Sequence, residues 1–310
     1  MAEHLAPSQT TISPATRTVF RLAALFTLLA VVMGSVVCAT ESGAACPTWP
    51  GCHVDQLAPG WHLNPIIEFT HRVVAILAGP LVLAAAILSR RVPGRDRRIR
   101  MLPWVALTGA MAAGLFGRIV VVGHLPMVWG VVDLACALVA MLAMTAATVA
   151  IERGGPRRAT QVSRRAWGAA GTLIGMHLLG IVVAGALTSG ALSYTRCVGW
   201  PVAVLAGADR YPALQLVRGL LGVTVLALIY GIVTRTRGVP AQRRLGTMVA
   251  ALVLLEFVLG VAIRTLGLSS GLAAAFSVTA VLLLWALGLT AARSEDVIVE
   301  PELQAAVARV

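Results

Sequence analysis

Glu68, Phe69, Thr70, His71 and Arg72 form a short stretch that could do chemistry. In a helix Glu68 and His71, at i and i+3, share one face, with Arg72 one step round. A carboxylate beside an imidazole suits a metal or haem-iron ligand with an acid/base group next to it. A polar trio at a helix end, satisfied by water and lipid headgroups, fits the same residues equally well. A second candidate precedes it. Cys46 and Cys52 flank Pro47, Thr48, Trp49 and Pro50 in the stretch GAACPTWPGCHVDQ, from Gly43 to Gln56. Such a pair is either a structural staple or a redox-active couple. With no basic group nearby to lower a thiol pKa, spacing favours the staple.

The elements that must hold these residues are membrane helices. The 310-residue chain is 58% hydrophobic and 12% charged, with a mean hydropathy of +0.86, which reads as an all-α polytopic membrane protein. A span needs about 20 mostly apolar residues. Eight such runs are expected at 18–39, 64–88, 102–122, 128–150, 167–189, 212–233, 245–266 and 272–292. The first lacks a small-residue cleavage site and is expected to be retained. All 25 basic residues are arginine, and they crowd the loops after the second, fourth and sixth runs. Those loops are therefore expected inside, with both termini, and the 40–63 loop outside in an oxidising compartment. This distribution accounts for the net charge of +12, so nucleic-acid binding is excluded as its explanation, while anionic membrane lipid remains a natural partner.

The halves of the chain match each other. PIIEFTHR (Pro65–Arg72) lies over PALQLVRG (Pro212–Gly219), and Gly117–Asp133 lies over Gly260–Phe276 without a gap. The loops ATESGAACPTWP and ALTSGALSYTRCVGWP share Ser-Gly followed by Trp-Pro. Three matches in one order predict two tandem four-helix bundles in parallel orientation. The expected divisions are a tail at 1–17, a first unit at 18–150 with the cysteine loop and Glu/His site, a basic linker at 151–166, a second, degenerate unit at 167–292 and a tail at 293–310. Cys38 and Cys136 fall within helices and read as inert small hydrophobes; Cys197 stands alone in the other long outside loop. His53 and His62 fall in the first outside loop, and His177 falls in the middle of the fifth run.

SGAACPTWPGC followed by IIEFTHR, in an eight-helix tandem repeat, resembles the haem A synthase family. That family carries a T-G-S-G-x-x-C-P-x-W-P-x-C loop and an E-F-x-H-R motif. The resemblance implies oxidation of the C8 methyl of haem O to the formyl of haem A. It makes His71 an axial ligand of the substrate haem iron, Glu68 the catalytic carboxylate beside it, and Cys46–Cys52 a disulfide capping the site. It also implies a relay haem b in the second unit, and histidines at four axial positions. Here Asp133 stands near the helix-four position, Arg218 at the helix-six position with Gln215 in place of the acid, and Phe276 or Ser277 at the helix-eight position. Arginine stays protonated and cannot coordinate, and Phe and Ser are no match for histidine. His124, at the outside end of helix three, is the near-helix histidine of the first unit able to supply a second ligand, although a polar residue in a short wet turn before Pro126 is the better reading of it. Cys38 and Glu41 replace the family's usual arginine and glycine.

The expected function is therefore a haem A synthase-like membrane oxidoreductase serving cytochrome oxidase biogenesis. The alternatives are a haem-binding paralogue that has lost catalysis, or a non-enzymatic oxidase-assembly or disulfide-sensing membrane protein. The implied partners are a haem O synthase, an electron donor and a terminal cytochrome oxidase under assembly; association of like copies stays open. A bacterial plasma membrane is the expected location.

Overall fold

The computed structural model describes residues 12–54, 57–92, 96–123, 128–154, 157–187 and 212–297. These form long helices α1 (Pro14–Ala39), α2 (Leu63–Ser89), α3 (Arg97–Gly123), α4 (Val128–Arg153), α5 (Gln161–Leu187), α6 (Pro212–Thr236), α7 (Pro240–Leu266) and α8 (Ser270–Arg293). Among the described residues, seven helices are long and apolar enough to cross a membrane: α1–α4 and α6–α8. The protein is accordingly an all-helical, polytopic membrane protein.

The odd-numbered helices begin before the apolar runs that announce them. α1, α3, α5 and α7 start at Pro14, Arg97, Gln161 and Pro240, where the sequence places the runs at 18, 102, 167 and 245. Apolar residues mark the hydrocarbon crossing, whereas the helix itself continues to its cap. Ser13 accepts from the Thr16 N–H at 3.2 Å, Asp96 from the Arg98 N–H at 2.9 Å, and the Thr160 hydroxyl from the Ser163 N–H at 3.1 Å. Each satisfies an orphan donor of a first helical turn.

One hydrophobic cluster joins α1, α2, α3 and α4 around Phe20, Val82, Ile99, Met144 and Ile151. A larger one joins α4, α5, α6, α7 and α8, with Val31 of α1, around Met141, Leu173, Ile229 and Leu284. α4 and α8 are the most enclosed helices. They sit at the centre against α1 and α5, while α1, α2, α3, α6 and α7 present apolar residues outward. In a bilayer those residues meet lipid.

The chain after α8 is tied down at once. Asp296 and Val297 pair antiparallel with Arg158 and Arg157. Arg98, at the start of α3, forms an ion pair with Glu295, and the Arg157 guanidinium donates to the Glu295 carbonyl at 3.4 Å. Cys38, expected to be an inert filler, is disulfide-bonded. Cys136 is the free cysteine among the described residues.

Candidate functional site

α1 runs into a tight turn that delivers the cysteine loop. Thr40 caps α1, its hydroxyl donating to the Val36 carbonyl at 2.8 Å and bonding the Ser42 hydroxyl at 2.6 Å. Glu41 then takes φ 56°, a left-handed conformation that glycine adopts at lower cost. A single 3-10 turn, Ser42–Ala44, leads to Cys46. Cys46 and Cys52 form a disulfide with Cα atoms 4.2 Å apart, and both are fully buried.

Glu68 and Arg72 fasten this loop to α2. They form an i,i+4 ion pair in the helix, and both are buried, at 3% and 7% exposure. The second carboxylate oxygen of Glu68, Oε2, accepts the Cys46 N–H at 2.7 Å. The Arg72 guanidinium donates to the carbonyls of Cys46 at 2.8 Å, Gly51 at 2.9 Å and Thr48. A buried ion pair is costly unless its remaining donors and acceptors are filled; here the loop backbone fills them. α3 contributes as well, since the Arg118 guanidinium lies 5.3 Å from the centre of the Trp49 ring. The loop thus rests on α2 and α3 with its disulfide facing inward.

Sequence reasoning grouped Glu68 with His71, but the structure pairs Glu68 with Arg72. His71 turns instead toward α1. A Cβ placed on Gly34 would lie 3.2 Å from its Nε2, so the imidazole occupies a recess that exists because residue 34 is glycine. His124 lies outside the described residues.

A glycine on the preceding helix also faces each of the other expected axial positions. Asp133 faces Gly117 of α3, where a Cβ would meet its carboxylate oxygens at 3.7 and 4.0 Å. Arg218 faces Gly180 of α5, with a would-be Cβ 2.8 Å from Nη2. Phe276 faces Gly260 of α7, at 3.8 Å from Cε2. In each case a side chain near the start of an even-numbered helix faces a glycine on the preceding helix, but only at Gly34 and Gly180 is the approach too close for a Cβ to be added without a shift. Spacing in the sequence could have revealed this, because Gly117 and Gly260 stand in the same register as Asp133 and Phe276.

The donor set decides what these places can hold. His71 is an imidazole of haem-binding type. Asp133 offers hard oxygen, a poor partner for haem iron. In the second half Arg218 is 3% exposed, and its Nε and Nη1 lack hydrogen-bond partners. Ser277 is 1% exposed, with its hydroxyl likewise unpartnered. Neither these nor Phe276 can serve as a strong axial ligand, so the residues present do not fit a bis-histidine haem b. No group of three or more His, Cys, Asp or Glu side chains suited to a metal ion occurs among the described residues.

No protein-family model matches the chain. Curated proteins do. It is 25% identical to a haem A synthase of an Exiguobacterium species over 56% of this chain and 58% of the relative. It is 37% identical to the haem A synthase of Symbiobacterium thermophilum over 28% and 30%, and 25% identical to that of Halalkalibacterium halodurans over 56% and 59%. The chain therefore matches less than two thirds of the length of these curated relatives. Within that span it is similar to the haem A synthases.

Proposed function

We propose that the protein is a haem A synthase-like membrane oxidoreductase that oxidises the C8 methyl of haem O to a formyl group. The observation that carries this reading is the buried join between the Cys46–Cys52 loop and the Glu68–Arg72 pair, set on the same turns of α2 as His71. A loop of that motif has little reason to be sealed onto α2 unless it closes something beneath it.

His71 would hold the iron of the substrate haem, and the bound haem would supply the oxidative chemistry. Glu68 keeps the loop in place, one turn of α2 before His71. In the closed arrangement both its oxygens are engaged, by the Cys46 N–H and by Arg72. Its proton-transfer role therefore requires the Arg72 contact to open. The disulfide caps the site and excludes water from it. His124 remains the candidate second ligand.

The same reading takes α5 as an eighth span and the chain as two tandem four-helix units, 18–150 and 167–292, joined by the basic linker 151–166. The four glycine-facing positions support the repeat. Arginine on the α2–α3, α4–α5 and α6–α7 connections supports inside termini, in a bacterial plasma membrane. Haem O synthase upstream, an electron donor and a recipient cytochrome oxidase follow as partners.

The test is co-expression with a haem O synthase in a host that makes no haem A, followed by chromatography of extracted haems with mass detection. Haem A or its hydroxylated precursor, lost in His71→Ala, is the expected result. Haem O alone with folded protein in the membrane would leave a haem-binding or assembly protein that has kept the architecture. Glu68→Gln separates the two roles of the carboxylate: the amide still accepts the Cys46 N–H, so retained folding without product assigns the charge to catalysis.

A further inference from the structure

Far from this site, α5 and α6 enclose a groove of about 420 Å³ lined by Arg165, Thr224, Leu228, Tyr230, Gly231 and Arg235, with Ala227 between them. That volume falls within the range of small-ligand sites, about 300–1,000 Å³. Arg165 stands in the first turns of α5 and Arg235 near the end of α6, so the groove opens at the membrane face that carries the arginine-rich connections. Neither arginine takes part in an ion pair among the described residues. Arg165 lies across Gly231 and donates to its carbonyl at 3.2 Å. Arg235 Nε donates to the side-chain carbonyl of Gln161 at 3.1 Å. Both are thereby held at the groove by neutral partners, with charge uncompensated.

Above them the wall is apolar in effect. The hydroxyls of Thr224 and Thr234 are spent on their own helix, on the carbonyls of Leu220 and Tyr230, each at 2.9 Å. The threonines thus add no free donor to the side presented by Ala227 and Leu228. Tyr230 is 72% exposed and suits the headgroup level of a bilayer. No acidic residue lines the groove.

We infer that this groove seats one anionic phospholipid, with its phosphate held by Arg165 and Arg235 and an acyl chain along Ala227 and Leu228. Two fixed cations beneath an apolar channel at the membrane surface complement a phosphate joined to a hydrocarbon tail. A free phosphate would use the arginines and leave the channel unused.

The test is native mass spectrometry of the whole protein released from bilayers of equal phosphatidylglycerol and phosphatidylcholine. One phosphatidylglycerol should be retained in preference. Arg165→Gln/Arg235→Gln should reduce that retention about tenfold or more, whereas Arg164→Gln/Arg243→Gln, which removes equal charge outside the groove, should preserve it. Ala227→Trp fills the channel with both arginines intact and should lose the lipid too, which keeps the test decisive if the double variant does not fold. Equal retention of the two lipids, equal loss in the Arg164/Arg243 variant, or displacement by glycerol phosphate alone would overturn the assignment.

Discussion

Arg72 is the side chain on which the candidate site most depends. Replacing it with alanine removes the donor to three loop carbonyls and leaves Glu68 buried without its counter-charge. Loss of one partner from a buried pair costs about 3–5 kcal/mol, so Arg72→Ala should lower the unfolding midpoint in detergent and expose the cysteine pair to membrane-impermeant reductant. Glu68→Met/Arg72→Met, which removes both charges, should unfold later than Arg72→Ala, because no buried charge is stranded. Equal midpoints would show that the loop hydrogen bonds, and not the charge pairing, carry the cost. Glu41 offers the opposite change. Its φ of 56° is one that glycine reaches without the penalty paid by a side chain, roughly 1–2 kcal/mol. Glu41→Gly should therefore raise stability by about 1 kcal/mol, part of the gain being offset by the freer unfolded chain. An unchanged or lower midpoint would count against strain at this turn. The sequence pointed to Glu68, His71 and the cysteines as a cluster but not to how they divide. The i,i+4 spacing of Glu68 and Arg72 was the local signal for their ion pair, and grouping Glu68 with His71 passed over it. The reach of Arg72 back to a loop some twenty residues earlier is a tertiary fact with no local signal.

At the scale of elements, hydrophobic runs identified the eight helices, because apolar length is what a bilayer demands of a span. They missed the starts of the odd-numbered helices by several residues, since those helices extend past the apolar run as far as caps such as Ser13, Asp96 and Thr160. They were also silent on which helix faces meet. That information lies in glycines such as Gly34 and Gly117, whose role becomes visible only when the partner side chain is placed. The contrast between those two is testable. A methyl at Gly34 would come within 3.2 Å of His71 Nε2, whereas one at Gly117 meets Asp133 at an ordinary 3.7 Å. Gly34→Ala should therefore displace the imidazole and weaken or shift the haem absorbance of the purified protein, while Gly117→Ala should leave it intact. Loss of the spectrum in both variants, with folding preserved, would mean that helix spacing in general, and not the recess at His71, governs binding.

Across the whole molecule, the proposed reading as two four-helix units gives the halves matching glycine-facing positions but different donor sets, and this bears on how many haems one chain can carry. The first half retains His71 in its recess. In the second, the equivalent recess holds Arg218, a permanent cation buried with two donors unpartnered, and the other equivalent position is Phe276 beside Ser277. An arginine at an expected axial position brings a permanent cation and supplies no lone pair to bind iron. Purified protein from cells replete with haem should accordingly contain no more than one haem per chain, measured by the pyridine haemochrome against protein mass. His71→Ala should bring that value to zero. Restoring a histidine with Arg218→His should not raise it to two, since the expected helix-eight position still offers only Phe276 and Ser277. Arg218→His/Phe276→His should do so if the second half has kept the shape of a macrocycle site and lost only its ligands. Two haems in the unaltered protein would show instead that a ligand outside these four positions serves the second half. One haem in the double-histidine variant would show that α5–α8 have closed over the space itself, with the second unit now serving as a packing partner for α1 and α4.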